Sequence, residues 1–166
     1  MAADYLVPAY VGLGSNLHDP AAQLRAAIEA LARLPRSRLV AHSAFYRNPP
    51  MGPQGQPDFV NAVAGLLTTL PAAEFLSELQ EIEAAHGRRR DGPRWGPRTL
   101  DLDLLLHGGL RVDGPGLTLP HPGLGERPFV LIPLLELAPG LRLPGGPRIA
   151  QLAAAAGDGG LARLDS

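Results

Sequence analysis

The segment Thr99–His107 constrains the fold of this chain more than any other. In it, the carboxylates Asp101 and Asp103 alternate with Leu102 and Leu104 inside an otherwise apolar run. Successive side chains of a β-strand point to opposite faces of its sheet, so we expect both aspartates on one face and both leucines on the other. The two leucines that follow favour a central strand that is covered on both faces.

Two neighbouring carboxylates repel each other, and they are costly to remove from water unless a positive group lies between them. Mg²⁺ meets this need, because it binds through one or two carboxylates together with substrate phosphates. The preceding loop, Gly87–Arg98, carries five arginines that suit the remaining phosphate oxygens. We therefore favour a nucleotide site over a solvated strand face. Spacing alone leaves open whether the arginines bind phosphate or form a solvated run with exposed salt bridges.

Composition excludes several classes of protein. The formal net charge is −1, whereas general nucleic-acid or membrane-surface binding usually needs a basic excess. The chain has no cysteine, so it has neither disulfides nor a thiol nucleophile. All fifteen basic side chains are arginines, which excludes a Walker phosphate loop and Schiff-base chemistry, both of which need lysine. With 45% hydrophobic residues, no leader pattern and no membrane-length apolar run, we expect one folded cytoplasmic domain over residues 1–166.

Hydrophobic periodicity gives the order of elements. Asp19 and Pro20 form the cap and first position of a helix that Pro35 ends. Its apolar positions are Leu24, Ala27, Ile28, Leu31 and Leu34. Strands are predicted at Ala9–Leu13, Arg38–Tyr46, Phe59–Thr68 and Thr99–His107, a second helix at Pro71–His86, and long loops at Arg47–Pro57 and Gly87–Arg98.

The later pattern is weaker and predicts a strand at Leu117–Leu119 and helices at Phe129–Leu137 and Ile149–Ala156. The first half has the order β-α-β-β-α-β, which is typical of a ferredoxin-like fold. We therefore predict an α+β protein with an antiparallel sheet, helices packed on it and a C-terminal extension.

Several single residues allow a structural or a functional interpretation. His121 lies between two prolines and is either a surface histidine or a donor to a phosphate oxygen, and Arg127 has the same two interpretations. Phe59 and Phe129 are more often core residues than a ligand clamp. Asn61 shares a strand face with Phe59, and an amide facing a core needs a hydrogen-bond partner, which a heteroaromatic ligand could supply.

Motifs across nearly the whole chain resemble the 6-hydroxymethyl-7,8-dihydropterin pyrophosphokinase family of the folate pathway. The matching segments run in order, and the block Arg94–Asp103 is the most specific of them. They are Tyr10–Asn16, Phe45–Pro53, Gln56–Asn61, Arg94–Asp103, Leu119–His121 and Arg127–Phe129.

The resemblance implies that ATP donates its terminal diphosphate to the hydroxymethyl group of the pterin, which releases AMP. It implies that Asp101 and Asp103 hold two Mg²⁺ ions, with Asp101 a further candidate for accepting the hydroxyl proton. This reaction depends mainly on alignment and on neutralising charge at the phosphate oxygens. Arg88 and Arg98 are expected to act on the transition state together with the two aspartates.

The resemblance also assigns two binding sets. The expected ATP contacts are Gln80, Glu83, Arg88, Arg90, Trp95, Arg98, Leu104, Thr118, His121 and Arg127. The expected pterin contacts are Gly14, Asn48, Pro49, Met51, Phe59, Asn61, Trp95, Asp101 and Phe129, with the ring stacked between Phe59 and Phe129.

The chain departs from the family pattern at three nucleotide-site positions, which leads us to expect weaker ATP binding. Pro122 follows His121 where an aromatic residue is common, Gly116 occupies a position that is often basic, and Asp91 stands where lysine can occur. The competing class is a ferredoxin-like RNA-binding module, although the strands lack its basic and aromatic pattern. We expect a monomer that binds these two small substrates and neither nucleic acid nor membrane.

Overall fold

The computed structural model of the protein describes residues 5–17, 19–48, 58–86 and 100–164. Within these ranges the backbone alternates between strands and helices. The strands are β1 (Val7–Ser15), β2 (Ser37–His42), β3 (Tyr46–Asn48), β4 (Phe59–Thr68), β5 (Asp101–His107), β6 (Val112–Gly114), β7 (Leu117–Leu119) and β8 (Ala162–Arg163). The helices are α1 (Pro20–Ala32), α2 (Ala72–Ala85), α3 (Pro128–Leu137) and α4 (Ile149–Ala156), with a 3₁₀ turn at Leu124–Glu126.

The main sheet has the strand order β5-β1-β4-β3-β8, and β2 pairs with β4 alongside β3. Each of these pairs is antiparallel. Strands β6 and β7 form a separate antiparallel ribbon. The prediction of an α+β protein with an antiparallel sheet is therefore confirmed.

Helices cover both faces of the sheet and bury two apolar cores. On one face, Val11 of β1 packs with Leu24 of α1 and Phe75 of α2. On the other face, Val63 of β4 packs in a cluster with Leu131 of α3 and other residues of α3 and α4. Because alternate residues of a strand point to opposite faces, each central strand contributes to both cores.

The prediction of one strand over Arg38–Tyr46 is wrong, because Ser43 interrupts it. The backbone N–H of Ser43 donates to the Val63 carbonyl at 2.8 Å, and the Val63 N–H donates to the Ser43 hydroxyl at 2.9 Å. The hydroxyl thus replaces one rung of the backbone ladder with β4, and the strand divides into β2 and β3. Since β3 extends to Asn48, the predicted loop also begins later than Arg47.

The prediction that the acidic strand is central in its sheet is also wrong, because β5 lies at the edge. Other elements cover that edge, which accounts for its apolar sequence. The Leu102 N–H donates to Glu83 Oε2 of α2 at 2.8 Å. The Leu105 carbonyl accepts from the backbone N–H of His121 at 3.0 Å. A β-bulge at Leu105 shifts the register, so Leu105 and Leu106 both point into the core on the α3 side of the sheet.

Most other boundaries lie within two residues of their predicted positions, the usual uncertainty for helix and strand ends. Asp19 caps α1, where the Ala22 N–H donates to Asp19 Oδ1 at 3.4 Å. The helix ends at Ala32, so the buried residue Leu34 belongs to the turn that follows the helix and not to the helix itself. No helix within the described ranges is long and apolar enough to cross a membrane.

Candidate active site

The floor of the candidate site is formed by β5, β1 and β4, on the face that α3 covers. Gly14 of β1 pairs with Asp101 on one side and with Asn61 on the other. Gly12 pairs in the same way with Asp103 and with Val63 of β4. Paired residues of neighbouring strands present their side chains on the same face, so the glycines separate the carboxylates of β5 from the side chains of β4.

Gly14 leaves space that a larger residue would fill. A Cβ atom at this position would lie 2.9 Å from Asn61 Oδ1, closer than real Cβ atoms approach oxygen. Asn61 is itself fixed, because its Nδ2 donates to Oδ1 of Asn48 and both side chains are buried. The row Gly14–Asn61–Asn48 therefore forms a rigid polar surface on an otherwise apolar sheet face.

Asp101 and Asp103 alternate with buried Leu102 and Leu104, as predicted, and both aspartates are only partly exposed. Among the described residues, no group of three or more histidine, aspartate or glutamate side chains is arranged to hold a metal. Two carboxylates on one face of a strand fit Mg²⁺, which binds through one or two carboxylates and completes its shell with water and substrate phosphates. The residues present thus fit the predicted metal.

His121 faces this pair. Its Nε2 lies 3.9 Å from Asp103 Oδ1, and the side chain is 22% exposed. Its Nδ1 accepts a hydrogen bond from the Gly123 N–H at 3.1 Å, so the neutral ring carries its proton on Nε2. Burial lowers the pKa of His121, the charge of Arg127 lowers it further, and Asp101 partly opposes them. At neutral pH, His121 therefore presents an uncharged N–H donor beside Asp103.

A cavity of about 400 Å³ opens between α2, β5 and the β6–β7 ribbon. Five residues predicted to bind ATP line it, together with Asp103, and this cavity is called the α2–β5 cleft below. The five are Gln80, Glu83, Leu104, Thr118 and His121. Gly116 and Pro122, two of the departures from the family pattern, also line it. The sequence thus predicted residues that the fold brings to one cleft.

Glu83 is only 3% exposed although it carries a carboxylate. Its Oε2 accepts from the Leu102 N–H, between the two aspartates of β5. A hydrogen bond to a charged acceptor is stronger than one between neutral groups. Glu83 therefore fixes the part of the edge strand that carries both carboxylates, in addition to lining the cleft.

The aromatic pair lies on the sheet face opposite α1 and α2. Phe59 alternates with Val60, whose side chain is in the α1–α2 core, so Phe59 points to the α3 side. Phe129, in the first turn of α3, packs against the core on that same side. The guanidinium carbon of Arg127 lies 5.8 Å from the centre of the Phe129 ring, within cation–π range. Arg127 is thus near the ring, and it is not among the residues lining the α2–β5 cleft.

Several predicted site residues lie outside the described residues. They are Arg88, Arg90, Trp95, Arg98, Pro49 and Met51, together with Asp91. Their predicted roles stay predictions.

The sequence did not indicate a pair of hydrogen bonds that joins the Glu136 side chain of α3 to β3 and the residues just before it. Tyr46 Oη donates to Glu136 Oε1 at 2.6 Å, and the Ala44 N–H donates to Glu136 Oε2 at 2.9 Å. The two partners lie 90 residues apart in the chain, and no local motif signals their contact.

Comparison with known proteins gives concordant results. The sequence model of a family described as 7,8-dihydro-6-hydroxymethylpterin-pyrophosphokinase (HPPK) matches residues 10–139. Two curated relatives are named 2-amino-4-hydroxy-6-hydroxymethyldihydropteridine pyrophosphokinase. The one from Pseudomonas aeruginosa is 52% identical over 155 residues, which cover 93% of this chain and 95% of the relative. The one from Haemophilus influenzae is 48% identical over 147 residues, covering 89% and 91%.

A solved structure of Plasmodium falciparum HPPK-DHPS with SDX-DHP resembles this chain with a TM-score of 0.71 at 13% identity. The similarity covers 90% of this chain and 45% of that chain, so this chain spans less than half of the solved one. A structure of HPPK-DHPS in complex with substrates gives a TM-score of 0.70 at 11% identity. At these identities the structural likeness shows a shared fold.

Proposed function

Because the chain belongs to the 7,8-dihydro-6-hydroxymethylpterin-pyrophosphokinase family, we propose that its described site binds ATP in the α2–β5 cleft and the pterin beside Asn61. The protein is a pyrophosphokinase of folate biosynthesis, as its curated relatives are. The observation that carries the proposal is the position of Asp103, which lines the cleft and shares a sheet face with Asp101 and Asn61. The RNA-binding alternative finds no support in the comparisons.

The proposed reaction joins the pterin hydroxymethyl oxygen to the β-phosphorus of ATP. The bond between that phosphorus and the oxygen that bridges to the α-phosphate breaks, and AMP leaves. The hydroxyl proton passes to a nearby base, for which Asp101 is the candidate. Alignment and charge neutralisation supply most of the catalysis in such a transfer.

Asp101 and Asp103 would hold two Mg²⁺ ions. When bound, these ions would supply positive charge near the attacking and leaving oxygens. His121 donates its Nε2 proton towards a phosphate oxygen near Asp103, since its Nδ1 is already bound to Gly123. Arg127 and the loop arginines Arg88 and Arg98 are proposed to neutralise further phosphate charge. Gln80 and Thr118 supply polar groups from opposite walls of the cleft.

For the pterin, Asn61 and Asn48 offer a fixed polar edge on β4 and β3. Phe59 and Phe129 lie on the same side of the sheet, as a stacked heterocycle requires. We propose that the ring lies between them, with its hydroxymethyl group directed across Gly14 towards Asp101.

We further propose that the fold is ferredoxin-like. If β2 and β3 are taken as one interrupted strand, the sheet order is fourth, first, third, second. Residues after β5 then form a C-terminal extension that contributes the β6–β7 ribbon, α3 and α4. A cytoplasmic monomer that binds small substrates remains our proposal for the cellular form.

The experiment that tests the proposed function is incubation with Mg²⁺, ATP and 6-hydroxymethyl-7,8-dihydropterin, followed by separation of the nucleotides. We expect AMP and the pterin diphosphate in equal amounts. ADP as the product would reject the assigned reaction. Asp103→Asn should nearly abolish AMP formation, and Asp158→Asn, on the exposed surface after α4, is the matched control.

A further inference from the structure

The contact between Tyr46 and Glu136 joins the two walls of the proposed pterin site. Tyr46 begins β3 and is 7% exposed. Glu136 is near the end of α3, and its two oxygens accept the Tyr46 hydroxyl at 2.6 Å and the Ala44 N–H at 2.9 Å. Both oxygens of one carboxylate are thus committed to the three-residue segment Ala44–Tyr46, which leads into β3.

On the sheet side, this segment leads directly to the polar edge of the site. Tyr46 pairs in register with Asn61, and Asn48, two residues further along β3, pairs with Phe59. These four residues therefore share one sheet face, the face that α3 covers. A restraint on Tyr46 is consequently a restraint on the strand that carries Asn48.

On the helix side, Glu136 follows Phe129 by seven residues. In an α-helix seven residues span about 10 Å and return to the same face, so Phe129 and Glu136 point to the same side of α3. Between them lies Pro133, which has no N–H to donate to the Phe129 carbonyl. Helix α3 nevertheless runs without a break from Pro128 to Leu137, so an anchor at Glu136 restrains the same element that carries the Phe129 ring.

We infer that Tyr46 and Glu136 are positioning residues that set the gap between the strand wall and the helix wall of the pterin site. This inference rests on the proposed function, and it assigns to both residues a role in pterin affinity and none in phosphate chemistry. The electrostatics agree, because burial and the bond to Glu136 raise the pKa of Tyr46 to about 12, which keeps the donor protonated. Neither Tyr46 nor Glu136 is among the residues that line the α2–β5 cleft.

The test is the Tyr46→Phe variant, with KM for pterin, KM for ATP and kcat measured separately by AMP release. Loss of one hydrogen bond to a charged group should raise the pterin KM about tenfold. The ATP KM and the kcat at saturating pterin should stay within about twofold of wild type, because the α2–β5 cleft is unchanged. Tyr10→Phe is the matched control, since Tyr10 also packs on the α3 side of the sheet and lies outside the Glu136 contact.

Glu136→Gln provides a second measurement of the same contact. Its amide oxygen can still accept from Tyr46, whereas its NH₂ group cannot accept from Ala44. We therefore expect a pterin KM between those of wild type and Tyr46→Phe. This variant also keeps the inference testable if Tyr46→Phe does not fold.

Two results would overturn the inference, and a third would overturn the proposed function on which it rests. One is a wild-type pterin KM in an active, folded Tyr46→Phe, or in Glu136→Gln if that variant alone folds. Another is an equal rise in both KM values with a fall in kcat, which would indicate a general structural role. If the wild-type protein released no AMP, the proposed function itself would fail, and this outcome is distinct because it appears before any variant is compared.

Discussion

Gly14→Ala tests whether the close approach of β1 to Asn61 is required for the pterin site. The added Cβ would lie 2.9 Å from Asn61 Oδ1, whereas ordinary contacts begin at 3.4 Å. Asn61 would therefore have to move by about 0.5 Å to restore ordinary contact, the difference between these two distances. It is 5% exposed and bound to Asn48, so this movement disturbs a buried pair.

The size of the effect follows from these contacts. Overpacking a well-packed site costs about 1–3 kcal/mol, and the weakened hydrogen bond to Asn48 is part of this cost. Because each 1.4 kcal/mol is about tenfold in affinity, we expect pterin binding to weaken by roughly 10- to 100-fold. The free energy of unfolding should fall by about 1–3 kcal/mol, as for other overpacked buried positions.

Gly12→Ala is the matched control on the same strand and the same face. Its Cβ would lie 3.5 Å from the nearest atom of Leu105, which is ordinary van der Waals contact. Calorimetric titration of both variants with 6-hydroxymethyl-7,8-dihydropterin, with urea unfolding alongside, measures the difference. Equal pterin affinity in folded Gly14→Ala and wild type would refute the reasoning, and so would an equal loss in both variants.

Two further predictions concern buried polar groups. Glu83→Ala leaves the backbone N–H of Leu102 in β5 without its acceptor, so it should lower the free energy of unfolding in urea by about 1–3 kcal/mol. Glu81→Ala, at an exposed position of the same helix, is the control and should change this free energy little. Similar losses in the two variants would contradict the role of Glu83. Because the pKa of Tyr46 is raised from 10.0 to about 12, its stabilising contribution is present below pH 10 and is lost as pH rises towards 12. Phenolate absorbance follows all three tyrosines of the chain, and Tyr46 should be the last of them to titrate. That transition should vanish in Tyr46→Phe and shift to lower pH in Glu136→Gln, and its persistence in the former would contradict the assignment.

The parts of the fold that were predicted correctly are those with local signals. Asp19 and Pro20 mark the start of α1, and the mainly apolar run Phe59–Thr68 gives β4 with its observed bounds. The divided strand was missed because its cause is a hydroxyl of Ser43 that binds Val63, twenty residues away. Strand β8 has two residues and exists only through its pairing with β3, so no periodicity could indicate it.

The candidate site shows the same division. Family motifs, which are local in the sequence, named five residues that the fold brings to the α2–β5 cleft. Their contacts with ATP stay predictions. The edge position of β5 was missed because its covering groups, Glu83 and the His121 backbone, are supplied by distant segments. The contact of Tyr46 with Glu136 was missed for the same reason: an exposed glutamate near a helix end has many ordinary explanations in a sequence.

The central claim is that Asp101 and Asp103 bind divalent cations at the point where nucleotide and pterin meet. A crystal structure with Mn²⁺, the pterin and an ATP analogue whose α–β bridge cannot be cleaved tests it directly through anomalous scattering. The account predicts anomalous peaks within coordination distance of both carboxylates and of the polyphosphate, with the nucleotide in the α2–β5 cleft. Peaks and polyphosphate located away from these two side chains would contradict it.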